Sequence, residues 1–217
     1  MKLIYLHGFA SGPMSSKAQF FRRRFEELGV EMRIPDLSEG NFEGLTLSGQ
    51  LRVIETTARG GEDVWLIGSS MGGYLAALYA ARHAEVSRLA LLAPAFGFAR
   101  RWPLQLGEEQ VAEWRRTGWL PMYHYGEKIE SRVGYGLLED AARYEDYPDV
   151  SQPALIFHGR HDEVVPFEYS EQFAARHPQI ALRIMDSGHE LLNVLEDMWA
   201  EMREFFGLHG EHKIPKT

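Results

Sequence analysis

The chain contains no cysteine, which excludes disulfide bonds, thiolate metal sites, Cys-x-x-Cys redox chemistry and a cysteine nucleophile. Basic residues are outnumbered: 23 Lys and Arg stand against 31 Asp and Glu, for a formal net charge of −8. This balance argues against nucleic acid as a partner, because such binding is dominated by the neutralisation of phosphates. The one tight basic cluster, residues 22–24, falls inside a helical pattern.

Long hydrophobic runs are also missing. The longest nearly apolar run, residues 89–99, has 11 residues and contains Pro94, whereas a membrane-spanning helix needs about 20. The apolar stretch at residues 3–6 is too short for the hydrophobic region of a signal peptide. We therefore expect no membrane span and a soluble, cytoplasmic protein, with which the absence of cysteine agrees.

Short apolar runs alternate with helical patterns, which is typical of βαβ units and a doubly wound parallel sheet. The predicted strands cover residues 3–6, 31–34, 64–67, 89–92, 154–157 and 180–185. The predicted helices cover residues 15–28, 47–59, 71–83, 166–176 and 191–206. The length of 217 residues fits one domain. We expect that domain over residues 1–206 and a flexible polar tail over residues 207–217.

The alternation stops between about residues 95 and 150, where no strand pattern is evident. This segment holds three of the five Trp and five of the nine Tyr. We therefore predict a helical insertion after the fourth strand that forms a lid and selects the acyl group. Trp119 and Tyr123 are its predicted substrate-binding residues. The alternative is that these aromatic side chains form a small second core over the sheet.

The third predicted strand leads into Gly68-x-Ser70-x-Gly72, the pattern of a nucleophile elbow between a strand and a helix. Glycine is needed two residues before and after the serine, because a side chain there would collide with the neighbouring helix or strand. Ser69 is out of register, since Ile67 would take the glycine position. The alternative interpretation is a Gly-Ser turn without chemistry.

A second motif, His7-Gly8-Phe9, ends the first predicted strand. An oxyanion hole needs two N–H donors, one from the residue after the nucleophile and one from an earlier strand loop. We therefore predict the amides of Met71 and Phe9 as the oxyanion donors and His7 as a substrate-binding residue. Alternatively, Gly8 only turns the chain and His7 packs.

Two further motifs, residues 158–166 and 186–190, follow the last two predicted strands. A serine becomes a nucleophile when a histidine takes its proton, and that histidine needs a carboxylate to orient it. In α/β sheets with a nucleophile elbow the chain order is Ser, acid, His. Ser70, Asp162 and His189 have this order, so we predict them as the catalytic triad. The rival acids and bases are Glu163, Asp186, His158, His161 and His177.

Together these motifs resemble the α/β-hydrolase superfamily over residues 2–206, and are most similar to the small YqiA-like bacterial esterases and the acyl-protein thioesterase branch. The similar segments are residues 6–9 with Ser15-Ser16-Lys17 downstream, 68–74, 158–166 and 187–189. The chain departs from the superfamily in lacking its usual first two strands and in carrying His-Gly-Phe instead of an HGGG motif. The resemblance implies a six-stranded parallel sheet of order 2-1-3-4-5-6 flanked by helices, with Ser70 where the strand order reverses.

The motifs and the resemblance predict a serine hydrolase that cleaves carboxylic esters or thioesters through an acyl-enzyme on Ser70. No cofactor or metal is expected, and the expected partner is a small-molecule or acyl-group substrate. Neither the acyl chain nor the oligomeric state is predicted. The alternatives are a non-catalytic ligand-binding protein of the same fold and other triad chemistry, such as C–C bond hydrolysis or perhydrolysis.

Overall fold

A computed structural model describes residues 1–208 of the chain. Eight strands occur in this part of the chain: β1 (Lys2–Leu6), β2 (Met32–Arg33), β3 (Val64–Ser69), β4 (Val86–Leu92), β5 (Trp119–His124), β6 (Ile129–Gly134), β7 (Ala154–Gly159) and β8 (Ile180–Met185). Six of them form a parallel sheet of order β2-β1-β3-β4-β7-β8, whereas β5 and β6 form a separate antiparallel pair. The six-stranded order is the predicted one, so that prediction is confirmed.

Helices cover the six-stranded sheet on both faces. In residues 1–208 they are α1 (Ser16–Glu26), α2 (Leu47–Ala58), α3 (Met71–Ala80), α4 (Phe98–Leu106), α5 (Glu108–Thr117), α6 (Gly136–Ala141), α7 (Glu168–Ala174) and α8 (Leu195–Phe205), with a 3₁₀ turn at Leu192–Val194. None of these helices has both the length and the apolar character that crossing a membrane requires.

Burial on both faces explains why the strands are apolar runs rather than alternating patterns. Successive side chains of a strand point to opposite faces. Along β1, Ile4 and Leu6 join a core cluster with residues of α2 and α3, whereas Leu3 and Tyr5 join a second cluster with residues of α1 and α8. All ten residues of α3 are buried, which fits its composition of small and apolar side chains.

The insertion after β4 is not purely helical, and the prediction of a helical lid is wrong in this respect. Two helices, α4 and α5, are followed by the β5–β6 hairpin and by α6. The hairpin has a proline, Pro121, in its first strand and three consecutive polar residues, 130–132, in its second, both of which weaken a strand pattern. The amide of Tyr135 donates to the carbonyl of Gly118 at 2.9 Å, which holds the two ends of the hairpin together.

The insertion shares its core with the sheet. Trp114, Leu120 and Val133 belong to the same buried cluster as Leu66 of β3 and Leu78 of α3. Part of the insertion therefore extends the main core and does not form the separate second core of the alternative interpretation. The predicted tail, residues 207–217, lies outside the described residues from residue 209 onwards.

The register of the strands brings four loops to one edge of the sheet. Leu6 of β1 pairs with Gly68 of β3, and Gly159 of β7 pairs with Met185 of β8. Because parallel strands end at the same edge, the loops that follow β1, β3, β7 and β8 meet there. These loops carry the motifs found in the sequence.

Candidate active site

Ser70 occupies the turn between β3 and α3 with φ 54° and ψ −116°. A non-glycine residue with positive φ is strained, and such strain persists only where the surroundings hold it. Here the Ser70 amide donates to the carbonyl of Leu92 at 2.8 Å, and its carbonyl accepts from the amides of Gly73 at 2.9 Å and Ala95 at 3.0 Å. The neighbouring strand β4 and the loop after it therefore help to fix the serine in this conformation.

The two glycines of the elbow are required by close backbone contacts. A Cβ on Gly68 would overlap the carbonyl oxygen of Gly72, and a Cβ on Gly72 would overlap the carbonyl oxygen of Leu6. The start of α3 is thus pressed against both β3 and β1. The steric reason given for the Gly-x-Ser-x-Gly spacing holds in the structure.

Three side chains from three of the loops form a hydrogen-bonded chain. The Oγ of Ser70 lies 3.0 Å from Nε2 of His189, and Nδ1 of His189 lies 2.7 Å from Oδ2 of Asp162. Asp162 is buried and His189 nearly so. The other carboxylate oxygen, Oδ1, accepts from the amides of Val164 at 2.9 Å and Val165 at 2.7 Å, so the carboxylate is oriented from both sides.

The electrostatics of Asp162 favour its ionised form. Burial raises the pKa of this carboxyl, but hydrogen bonds from His158 and His189 and from the Val165 amide outweigh burial and bring the pKa well below its usual range. The carboxylate is therefore charged at neutral pH. It is placed to accept a hydrogen bond from Nδ1–H of His189, which leaves Nε2 without a proton and able to take one from Ser70.

A glycine brings the acid loop and the histidine loop together. A Cβ on Gly159 would overlap the carbonyl oxygens of Ser187 and Gly188. The amide of Arg160 donates to Met185 at 2.8 Å and that of His161 donates to Ser187 at 3.0 Å. Close backbone packing at the ends of β7 and β8 thus sets the separation between Asp162 and His189.

The rival acids and bases take other positions. His158 is buried; its Nε2 donates to the carbonyl of Val165 at 2.8 Å and lies 3.1 Å from Oδ2 of Asp162, and its Nδ1 accepts from Ser170 at 2.7 Å. It therefore helps to orient the carboxylate through the same oxygen that His189 contacts. The structure places the other rivals away from Ser70, since His161 binds Asp186, Glu163 is exposed and His177 is buried against Asp149.

The amides of Phe9 and Met71 lie next to the serine. Met71 is the first residue of α3, where backbone N–H groups have no partner within the helix. Phe9 follows Gly8, and the backbone of Gly8 lies close to Ser70. A Cβ on Gly8 would be 3.4 Å from Cβ of Ser70. Among residues 1–208, no protein group accepts a hydrogen bond from the Phe9 amide. The Phe9 ring is fixed between Phe42 and Trp102, each with a ring centroid 5.3 Å away.

A cavity of about 540 Å³ opens beside Ser70 and His189. Its walls are largely apolar and include Phe9, Val164 and two residues of the insertion, Met122 and Tyr125. The remaining lining residues are Gly8, Ala10, Ser11, Lys17, Ser69 and Glu190. This volume is that of a small-molecule site.

Trp119 and Tyr123, the predicted substrate-binding residues of the insertion, are not among the residues that line this cavity. Alternate side chains of a strand face opposite ways, and the inward side of β5 is taken by Leu120 and Met122. Trp119 is 39% exposed and lies under the guanidinium of Arg132, with 4.1 Å between the guanidinium carbon and the ring centroid. Tyr123 is equally exposed.

His7, the other predicted substrate-binding residue, packs at the end of β1 and is not among the residues that line the cavity. Its Nε2 accepts from the amide of Leu37 at 3.1 Å, and its Nδ1 donates to the carbonyl of Gly8 at 3.0 Å. Burial lowers the pKa of the imidazole, which keeps it neutral. The alternative interpretation, that His7 packs at the end of the strand, is the one that the structure supports.

Sequence reasoning missed several lining residues, namely Lys17, Met122, Tyr125 and Glu190. Lys17 lies in a segment that the family resemblance singled out, and Glu190 follows His189 directly, so adjacency was the available signal. Met122 could have been found only from the two-residue period of β5, and Tyr125, in the turn after β5, follows from no such period. Within residues 1–208, no three His, Asp or Glu side chains converge in a way that could hold a metal ion.

Comparison with known proteins places this geometry in a family. AB hydrolase superfamily protein YisY of Bacillus subtilis (strain 168) is 26% identical to this chain. The alignment has 229 positions and covers 86% of this chain and 84% of that protein. A putative hydrolase from Agrobacterium vitis S4 superposes with a TM-score of 0.80 at 25% identity, covering 94% of this chain and 87% of that one.

Mouse alpha/beta hydrolase domain-containing protein 10 superposes equally well, with a TM-score of 0.80 at 21% identity over 95% of this chain and 89% of that one. At this identity the likeness shows a shared fold. The model of an uncharacterised protein family, UPF0227, matches residues 2–207. The chain therefore belongs to UPF0227, a family with the α/β-hydrolase fold.

Proposed function

We propose that this protein is a serine hydrolase that cleaves carboxylic esters or thioesters through an acyl-enzyme on Ser70. The observation that carries the proposal is the hydrogen-bonded chain from Ser70 through His189 to Asp162, which opens onto the cavity. Membership of a family with the α/β-hydrolase fold supports hydrolysis in general. The ester or thioester chemistry is inferred from the residues of the site.

In the first half of the reaction, Oγ of Ser70 attacks the carbonyl carbon while Nε2 of His189 takes its proton. The imidazolium that forms is stabilised by the Asp162 carboxylate on Nδ1. The carbonyl oxygen becomes an oxyanion and accepts hydrogen bonds from the amides of Phe9 and Met71. Because these amides are held in place beforehand, and the N-terminal end of the α3 dipole is positive, they stabilise the charge without reorganisation.

The tetrahedral intermediate then breaks its bond to the leaving oxygen or sulfur. His189 donates its proton to that atom, and the alcohol or thiol departs. In the second half, His189 takes a proton from water, whose oxygen attacks the acyl carbon of the ester on Ser70. Breakdown of this intermediate releases the carboxylic acid and returns the proton to Oγ of Ser70.

The test uses the two adjacent serines of the elbow. Ser70→Ala should lower kcat by about 10⁴-fold or more, leaving only oxyanion and binding effects, and should abolish labelling by a fluorophosphonate probe. Ser69→Ala is the matched control and should keep most of the activity and the labelling, because the hydroxyl that lies within hydrogen-bond distance of His189 is that of Ser70. Measurements of kcat/KM on p-nitrophenyl esters and acyl thioesters of graded acyl length show whether the enzyme prefers esters or thioesters and which chain length it prefers.

Labelling that survives Ser70→Ala and disappears with Ser69→Ala would show that Ser69, and not Ser70, is the nucleophile. A folded wild-type protein that neither reacts with the probe nor hydrolyses any ester or thioester would support the non-catalytic alternative. Hydrolysis of C–C bonds or perhydrolysis with intact probe labelling would keep the triad and replace the substrate class.

A further inference from the structure

Lys17 is a charged residue of the cavity wall that the proposed mechanism does not use. It is the second residue of α1, is half-buried and lines the same cavity as Ser70 and His189. Among residues 1–208, no carboxylate lies within 4.0 Å of its ammonium, and this group makes no hydrogen bond. Lysine is seldom withdrawn from water without a partner, because burying an unpaired charge is costly.

Two carboxylates near Ser70 and His189 act on the ammonium of Lys17. Burial lowers the pKa of Lys17, while the carboxylates of Glu190 and Asp162 act in the opposite direction. Both carboxylates belong to the loops that carry the triad. Asp162 is already engaged by two histidines and two amides, and Glu190 is exposed. Neither one neutralises Lys17 by direct contact.

A second unused donor lies on the same wall. The hydroxyl of Ser11 makes no hydrogen bond within the described part of the chain, and Ser11 lines the cavity together with Lys17. An ammonium and a hydroxyl without partners are suited to an anionic oxygen, since charge-assisted hydrogen bonds are about twice as strong as neutral ones. Apolar residues, including Phe9, Met122 and Val164, supply much of the remaining wall.

We propose that Lys17, with Ser11, binds an anionic group of the substrate, a carboxylate or a phosphate, within the cavity where the ester is cleaved. This inference rests on the proposed function and specifies its substrate class: esters or thioesters that carry a negative charge near the scissile carbonyl. Glu190, at the same cavity, opposes anion binding and favours release of the acidic product.

Two matched pairs of substrates test the charge and its position. Monoethyl adipate against ethyl hexanoate places a carboxylate on the acyl side, and the butyryl ester of ethylene glycol phosphate against pentyl butyrate places a phosphate on the alcohol side. The measured quantity is the ratio of kcat/KM for the anionic to the neutral member of each pair. We expect the wild type to favour the anionic member in one pair, which identifies the source of the charge.

Variants of Lys17 assign that preference to its ammonium. Lys17→Met should lower the ratio by about tenfold or more, the effect of losing a hydrogen bond to a charged group, and Lys17→Arg should retain most of it. Glu190→Gln should raise the ratio. Arg23→Met is the matched control, because it removes the same charge from an exposed position of the same helix, and it should leave the ratio unchanged.

The proposal is overturned if the wild type shows no preference in either pair, or if Lys17→Met lowers kcat/KM equally for both members of a pair. Failure of the proposed function is seen separately, as absence of Ser70 labelling and of all turnover. In that case calorimetric binding of monoethyl adipate to Ser70→Ala still tests the anion site. Loss of this binding in Ser70→Ala/Lys17→Met supports the site, and equal binding by both proteins refutes it.

Discussion

At the scale of single residues, Asp162 combines burial with an unusually dense set of donors. Its two oxygens accept from His189, His158 and two backbone amides. These donors favour the ionised form over the protonated one. The same contacts therefore serve the orientation of His189 and the stability of the fold.

The depressed pKa of Asp162 predicts how stability changes with pH. A carboxyl whose pKa is lower in the folded than in the unfolded chain stabilises the fold above the unfolded pKa, about 3.9, and this contribution is lost as the pH falls towards the folded pKa. Asp162→Asn lacks it. The free energy of unfolding should therefore be higher for the wild type than for Asp162→Asn. We expect this difference to be largest at neutral pH and to shrink below about pH 4. Urea titrations at several pH values measure this, and a constant difference would contradict it.

The same substitution should lower kcat by about 10³- to 10⁴-fold, because asparagine favours the wrong tautomer of His189. Glu163→Gln is its control, since Glu163 is exposed and adjacent in sequence. A loss of similar size from Glu163→Gln, with Asp162→Asn near wild type, would transfer the role of the acid.

The hydrogen-bonded contact of Ser70, Asp162 and His189 could be predicted because their positions depend on local rules. Each follows a strand, their order along the chain is constrained, and the elbow needs glycine at fixed positions. Lys17 and Met122 could not be predicted in the same way. Their place on the cavity depends on where α1 begins relative to the triad loops and on how the hairpin packs over the sheet, which no short pattern encodes.

At the scale of elements, the β5–β6 hairpin divides its side chains between the cavity and solvent. Met122 lines the cavity, and Tyr125, in the turn, reaches it while remaining 71% exposed. Trp119 and Tyr123 point away. The sequence did not predict these two strands. Proline is unusual inside a strand, and Pro121 together with the polar residues of β6 concealed the alternation of buried and exposed side chains along β5.

This division predicts which hairpin residues set substrate preference. Met122→Ala and Tyr125→Ala should change the dependence of kcat/KM on acyl length, since each methylene buried in the cavity contributes up to about 0.8 kcal/mol. Trp119→Ala and Tyr123→Ala are the matched outward substitutions and should leave the profile unchanged. A changed profile in the outward pair alone would mean that the hairpin closes differently over substrate.

At the scale of the whole molecule, the insertion and the sheet are joined by one buried cluster. Trp114 of α5 is almost completely buried, donates from Nε1 to the carbonyl of Val133 at 3.0 Å, and packs against Trp102 and Tyr135. The cluster continues without interruption into α3 and β3. A lid that moved as a separate body would need a core of its own.

We therefore expect the insertion and the sheet to unfold together. Trp114→Ala should lower the free energy of unfolding by about 3–5 kcal/mol, the usual cost of removing a large buried aromatic side chain. Far-UV circular dichroism and tryptophan fluorescence should report one coincident transition. Trp119→Phe, at an exposed position, should change stability by no more than about 0.5 kcal/mol. Two separate transitions in the wild type would show that the insertion unfolds independently.

The hydrogen bond between Tyr135 and Gly118, which closes the base of the hairpin, has a consequence for how specificity can change over generations. Because the chain enters and leaves the β5–β6 ribbon at nearly one point, the ribbon residues that face the cavity or solvent can be exchanged while Leu120 and Val133 stay in the core and α5 and α6 keep their paths. The triad loops lie on a different part of the framework. The part of the cavity wall that the hairpin supplies can therefore vary independently of the loops that carry Ser70, Asp162 and His189, and a library confined to Met122 and Tyr125 would explore it while the buried cluster stays intact.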